Sequence, residues 1–153
     1  MPANLEEKLR QYYAAWTARD IDQVIACFTT DATFEDLAFA ARFDGVAAIR
    51  SFVESTYAGA PDFRVEPQEI LAGDGSAAAA WVMSGTHAGD FPGLPATGRR
   101  FTVRASSLVW FEGGLIRRIE DYWNPLEFAR SVGLLADDGE EPASGDAPGT
   151  SSH

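Results

Sequence analysis

The chain has 153 residues, 46% of them hydrophobic, and carries a net charge of −11. That length supports one domain with a sizeable core, and the acid excess excludes nucleic acid and anionic membrane surfaces as partners. A single cysteine, Cys27, excludes an internal disulfide, and no apolar run reaches the ~18 residues of a membrane span.

The amino terminus, MPANLEEKLRQYY, lacks the basic and apolar regions of a signal peptide, so a cytoplasmic protein is expected. Asn4 is placed to cap a helix whose apolar positions Leu5, Leu9, Tyr12, Tyr13 and Trp16 recur at three- and four-residue steps. Asp20 with Gln23 resembles a capping box and opens a second short helix through Ile21, Val24, Ile25 and Phe28, stopped at Thr29-Thr30-Asp31. Residues 32–36 alternate like a short strand, with Asp36 on the side of Phe34. Residues 37–43 read as irregular. Asp44-Gly45 then starts a third helix through Tyr57, ended by Gly59-Ala60-Pro61.

From Phe63 the period changes to two. Strands are expected over 63–71, 77–88, 99–112 and 115–123, joined by turns such as Gly73-Asp74-Gly75 and Gly113-Gly114. Asn124-Pro125-Leu126-Glu127 begins a closing helix that stops at Gly133. The last seventeen residues hold five acids and no Lys or Arg, and residues 137–153 read as a disordered acidic tail behind a domain of residues 1–136. Helices at one end of the sequence and strands at the other predict an α+β domain, with helices covering one face of a curved antiparallel sheet.

Alternation groups Ala77, Ala79, Trp81, Met83, Gly85 and His87 on one face, Phe101 to Phe111 with Ser107 on another, and Leu115, Arg117, Ile119, Asp121 and Trp123 on a third. If those faces meet the helices, Asp121 and His87 point into an apolar interior. Burial there raises a carboxyl's pKa toward the range of a general base, and an imidazole nearby shares the proton or holds an oxyanion. The competing reading makes Asp121 a helix cap or the partner of Arg104, Arg117 or Arg118. Asp36 is either a second carboxyl at the pocket mouth or a turn residue bonding backbone amides. Tyr12 is core or catalyst, and Ser107 is a small filler lining the cavity. Trp16, Phe34, Phe39, Trp81, Met83 and Trp123 suit a flat, largely apolar small molecule. The two histidines, His87 and His153, make no metal site, and no phosphate-binding loop follows a strand into a helix; no metal and no cofactor are expected.

The run Gly85-Thr86-His87-x-Gly89-Asp90-Phe91-x-Gly93-x-Pro95-x-Thr97-Gly98, with Phe111-Glu112-x-Gly114-x-Ile116 and Asp121-Tyr122-Trp123, resembles SnoaL-like polyketide cyclases of the nuclear-transport-factor-2-like (ketosteroid-isomerase-like) superfamily. The resemblance covers about residues 5–134 and implies a cone-shaped α+β barrel with three N-terminal helices, one deep pocket and a homodimer packed through the outer sheet face. It implies Asp121 as the base that removes a carbon-bound proton and His87 as its assistant. Residues 32–36 and Gly45-Val46-x-Ala48-Ile49-Arg50-x-Phe52 resemble ketosteroid isomerase, which aligns Asp36 with that enzyme's base and Tyr12 with its oxyanion tyrosine, a system used as a standard illustration of pKa tuning. The isomerase's second oxyanion acid is replaced at about Ser107. The expectation is a cofactor-independent cyclase or isomerase for an enolisable polyketide-like molecule. The alternative is a non-catalytic small-molecule-binding domain or accessory subunit. Epoxide hydrolysis ranks below both, because Met83-Ser84-Gly85 stands where epoxide hydrolases carry an Arg-x-Asp pair.

Overall fold

The computed structural model describes residues 4–135. The expected acidic tail therefore lies outside the described residues. Helix α1 spans Leu5–Ala18, and the Asn4 side chain accepts the Glu7 amide at 3.1 Å, relieving one unpaired N–H of the first turn. Asp20 does the same for α2, Ile21–Ala26, through the Gln23 amide. Strands β1 (Phe28–Asp36) and β2 (Ala41–Asp44) form a hairpin, after which α3 runs Val46–Gly59. Strands β3 (Arg64–Ala72), β4 (Ser76–Thr86), β5 (Arg100–Glu112) and β6 (Leu115–Trp123) follow, then α4 (Pro125–Ser131), capped by Asn124. No helix among the described residues is long and apolar enough to cross a membrane.

The six strands form one curved, unclosed sheet in the order β2-β1-β6-β5-β4-β3. Every pairing is antiparallel except β1 with β6, which is parallel. This is the feature the expected antiparallel sheet lacked, and it sets the site, because it lays Asp36 directly beside Asp121. Strand β1 also starts earlier than expected: Thr29-Thr30-Asp31 continues it instead of ending a helix, and part of the stretch read as irregular forms β2.

Helix α1 covers the β3 edge. The Thr17 hydroxyl accepts the Val65 amide and donates to the Val65 carbonyl, both at 2.8 Å, so helix and edge strand are joined through polar groups that would otherwise stand unpaired. Pro67, which has no N–H to give, sits in β3 at an irregularity of that edge strand. Between sheet and helices the core is aromatic: Tyr12, Tyr13, Phe34, Phe101 and Phe128 are almost fully buried, at about 1.5–3 kcal/mol each for large apolar side chains.

Alternation holds along β4 and β5, whose odd-numbered residues from Ala77 to Met83 and from Phe101 to Val109 are buried. On β6 it breaks. A register shift opposite Trp110 and Phe111 buries Ile116 and Ile119 together, so Leu115 and Arg117 lie outside rather than on the inner face. Beyond that shift the expected face resumes with Ile119 and Asp121.

Candidate active site

Three strands place one row of polar side chains across the inner face of the sheet. Asp36 on β1 is the register partner of Asp121 on β6, and Asp121 is the partner of Ser107 on β5. Cross-strand partners on one face stand close enough to interact directly. The next inner-face row is Trp81, Ala105 and Trp123, so indoles flank the acids.

Asp121 is 8% exposed, and no cation among the described residues pairs with it. Of the arginines expected to neutralise it, Arg104 pairs with Glu127, Arg118 pairs with Glu35 and Glu120, and Arg117 lies exposed on the outer side of β6. Its Oδ1 accepts the Ser107 hydroxyl at 2.6 Å. Burial pushes its pKa up to about 8; the Ser107 bond pulls down, and the Asp36 charge adds to the rise. A rise of that size is on the order of 5 kcal/mol against the charged form, more than one hydrogen bond to a carboxylate returns, so burial wins.

Asp36 is better served. Its Oδ1 accepts the Phe39 amide at 3.1 Å and its Oδ2 accepts the Trp123 indole N–H at 3.2 Å. The turn after β1 makes the first bond: Ala40 takes a left-handed φ of 53° there. Burial still raises the Asp36 pKa, and these two donors lower it. With more donors, Asp36 is the carboxyl that ionises first, leaving Asp121 to hold a proton at neutral pH.

Ser107 is buried and does not line the cavity. Its oxygen accepts from Tyr13 Oη at 3.0 Å and from Trp81 Nε1 at 2.9 Å while its hydrogen goes to Asp121. Tyr13 is the residue that sequence reasoning missed as a polar member of the site. The helical period puts Tyr12 and Tyr13 side by side, and only β5 shows which hydroxyl has a partner. Tyr12 lines the same cavity; burial, with the Asp121 charge behind it, raises its pKa and keeps it a neutral phenol.

The space between these side chains amounts to about 600 Å3 when the open solvent at its mouth is included. Tyr12, Asp36 and Asp121 line it, as do Trp16, Phe39, Trp81, Met83 and Trp123 of the expected pocket. Phe34 does not; it packs behind, against Phe28, Phe43 and Phe52. Phe91 and Phe128 line it unforeseen, from the loop after β4 and from α4.

His87 is not brought to Asp121. It is fully buried, stacked on Phe91 at 5.4 Å, with Nδ1 3.1 Å from Thr97 Oγ1 and Nε2 3.0 Å from the Leu94 carbonyl. Strand β4 ends at Thr86, and the following loop folds back over the ring, so both ring nitrogens serve the loop.

The SnoaL-like domain family matches residues 9–119. The chain belongs to that family. The match stops at Ile119, so Asp121 stands on its geometry alone. Similar solved structures include a Catenulispora acidiphila protein with a ketosteroid-isomerase-like fold, 22% identical, covering 85% of this chain and 95% of that one with a TM-score of 0.76. IdmH of Streptomyces antibioticus, described as a candidate polyketide cyclase, is 19% identical over 86% and 99% of the two chains, with a TM-score of 0.75. AclR of Streptomyces galilaeus, described as a candidate hydroxylase, is 22% identical over 87% and 83%, with a TM-score of 0.74. At these identities the likeness establishes the nuclear-transport-factor-2-like fold of this SnoaL-like chain. No curated protein matches it.

Proposed function

We infer that this SnoaL-like protein is a cofactor-independent cyclase or isomerase acting on an enolisable, largely apolar, polyketide-like small molecule, with Asp121 as the proton-transferring group. The observation that carries this is a carboxyl without a counter-cation among the described residues, in an aromatic cavity, beside a second carboxyl. Its pKa of about 8 makes the ionised form a stronger base than an ordinary aspartate while leaving roughly a tenth of it ionised at pH 7. That carboxylate takes an α-proton from the ketone, and the carboxylic acid so formed holds the proton ready to return it to carbon or to the new hydroxyl. Asp36, when ionised, raises the basicity of Asp121. Tyr12, held neutral, donates to the oxygen that gains charge in the enolate. His87 acts at a distance, holding the loop that carries Phe91.

Among the described lining residues there is no Lys, Arg or His, so an anionic group buried there finds no counter-charge. The substrate is therefore uncharged in the part that enters. A cytoplasmic homodimer packed through the outer face at Leu108 and Trp110 completes this reading, and gel filtration tests it.

The deciding experiment is α-deuteration of 2-tetralone, a neutral bicyclic ketone, followed by NMR in heavy water. The protein should accelerate exchange above buffer, and Asp121→Asn should remove about 100-fold or more of that rate with the fold intact. Equal exchange by Asp121→Asn overturns the assignment. Tight binding of the ketone with no exchange by the unaltered protein supports a non-catalytic binding domain.

A further inference from the structure

The hydroxyl of Ser107 makes the only hydrogen bond to Asp121 among the described side chains, and its own bonding leaves it one orientation. An indole nitrogen has no lone pair to offer, so Trp81 Nε1 can only donate, and it occupies one lone pair of the Ser107 oxygen at 2.9 Å. Tyr13 Oη donates to the other at 3.0 Å. With both acceptor sites filled, Ser107 has a single hydrogen left and directs it to Asp121 Oδ1 at 2.6 Å, a short bond from a hydroxyl to a carboxyl oxygen. Its oxygen has no room to accept a proton-bearing Oδ1.

We propose that Ser107, held by Tyr13 and Trp81, is a positioning residue that fixes Asp121 Oδ1 as a permanent acceptor and so directs the transferable proton to Oδ2. The two oxygens of one carboxyl are thereby made unequal. Oδ1 faces a saturated donor in both protonation states, and Oδ2 alone exchanges a proton with a substrate in the cavity. The proton that leaves the substrate carbon ends on Oδ2 and returns from it; no proton passes along Tyr13 or Ser107. Ser107 itself is buried behind the cavity lining, so its bonds form in a low-dielectric setting. The sequence reading of Ser107 as a small filler accounts for its size but not for its hydroxyl.

This inference rests on Asp121 as the proton-transferring group, and its test separates the two claims. The Asp121 carboxyl is titrated by carbon-13 NMR in the unaltered protein, Ser107→Ala, Tyr13→Phe and Ser107→Thr, beside the pH dependence of 2-tetralone exchange. Ser107→Ala should move the Asp121 midpoint upward by roughly one pH unit, because a donor to the charged form is lost. Exchange should fall about 10-fold at pH 7, with its pH profile displaced by the same amount and KM changed less than twofold. Tyr13→Phe should shift the midpoint the same way by less, and Ser107→Thr should restore it. An Asp121 midpoint unmoved in folded Ser107→Ala overturns the proposal, as does a rate that drops equally at every pH. Should Ser107→Ala fail to fold, Tyr13→Phe decides, and an unmoved midpoint there is equally contrary. A midpoint that moves while Asp121→Asn still exchanges 2-tetralone sinks the proposed function and leaves the directing bond standing.

Discussion

Strands β1 and β6 carry two neighbouring pairs of acids, and the pairs have opposite fates. Glu35 lies beside Glu120, and one residue on, Asp36 lies beside Asp121. Because successive side chains in a strand point to opposite faces, the first pair meets the outer surface and the second the cavity. Arg118 bridges the outer pair, 2.9 Å from Glu35, with its Nε 3.0 Å from Glu120. Arg118, with the Tyr122 hydroxyl, holds the Glu120 carboxyl below its usual range. The inner pair has no cation among the described residues, and burial sends Asp121 to about 8. Two like charges side by side are tolerated outside because a guanidinium stands between them, and inside because one of them keeps its proton. The outer arrangement is structural. The inner one stores a proton where a substrate can reach it.

The comparison breaks most visibly at Asp121. In Asp121→Asn, 2-tetralone exchange should fall roughly 100- to 10,000-fold, the range set by losing a general base. Removing Glu120 in the same way should leave exchange within a few-fold. Asp121→Asn should also be more stable than the unaltered protein in alkali. The folded-state pKa of Asp121 is raised, so the unfolded chain ionises near pH 4 while the folded one does not until about 8. Stability is therefore lost progressively as pH rises between those values, and Asn relieves a penalty on the order of 5 kcal/mol at pH 9, measured by urea unfolding. At pH 4 the two proteins should differ little.

The outer pair should respond with the opposite sign. Glu120 is lowered in the fold, so its contribution is present above the ordinary glutamate range and disappears as pH falls through the folded pKa. Arg118→Met should cost about 1 kcal/mol at pH 7, the scale of a surface charge network, and progressively less as the pH falls below the ordinary glutamate range. The smallest effect sharpens the inner pair. Asp36→Asn removes the charge beside Asp121 and should lower the Asp121 midpoint on the order of half a unit, because burial, the larger cause, stays.

Much of this was legible from alternation, helix caps and turn residues. Asn4, Asp20 and Asn124 cap the helices the sequence assigns them, since capping is a local property. Trp81, Met83, Ser107 and Asp121 face inward as the period of two requires. Leu115 and Arg117 do not, because a register shift between strands leaves no mark in the pattern of one strand. The Asp36–Asp121 pairing joins strands from opposite ends of the chain in parallel, and nothing local reports it. His87 has the right parity for the cavity, yet the backbone turns after Thr86 and the loop claims its nitrogens. Tyr13 became part of the site only once Ser107 was opposite it.

The central claim is that a buried, cation-free Asp121 holds its proton into the neutral range. Carbon-13 NMR titration of that carboxyl, in protein labelled at aspartate and assigned with Asp121→Asn, measures it directly. The account predicts a midpoint near 8. A midpoint near the ordinary aspartate value of about 4 would contradict it, placing an ionised carboxylate in the cavity throughout the neutral range.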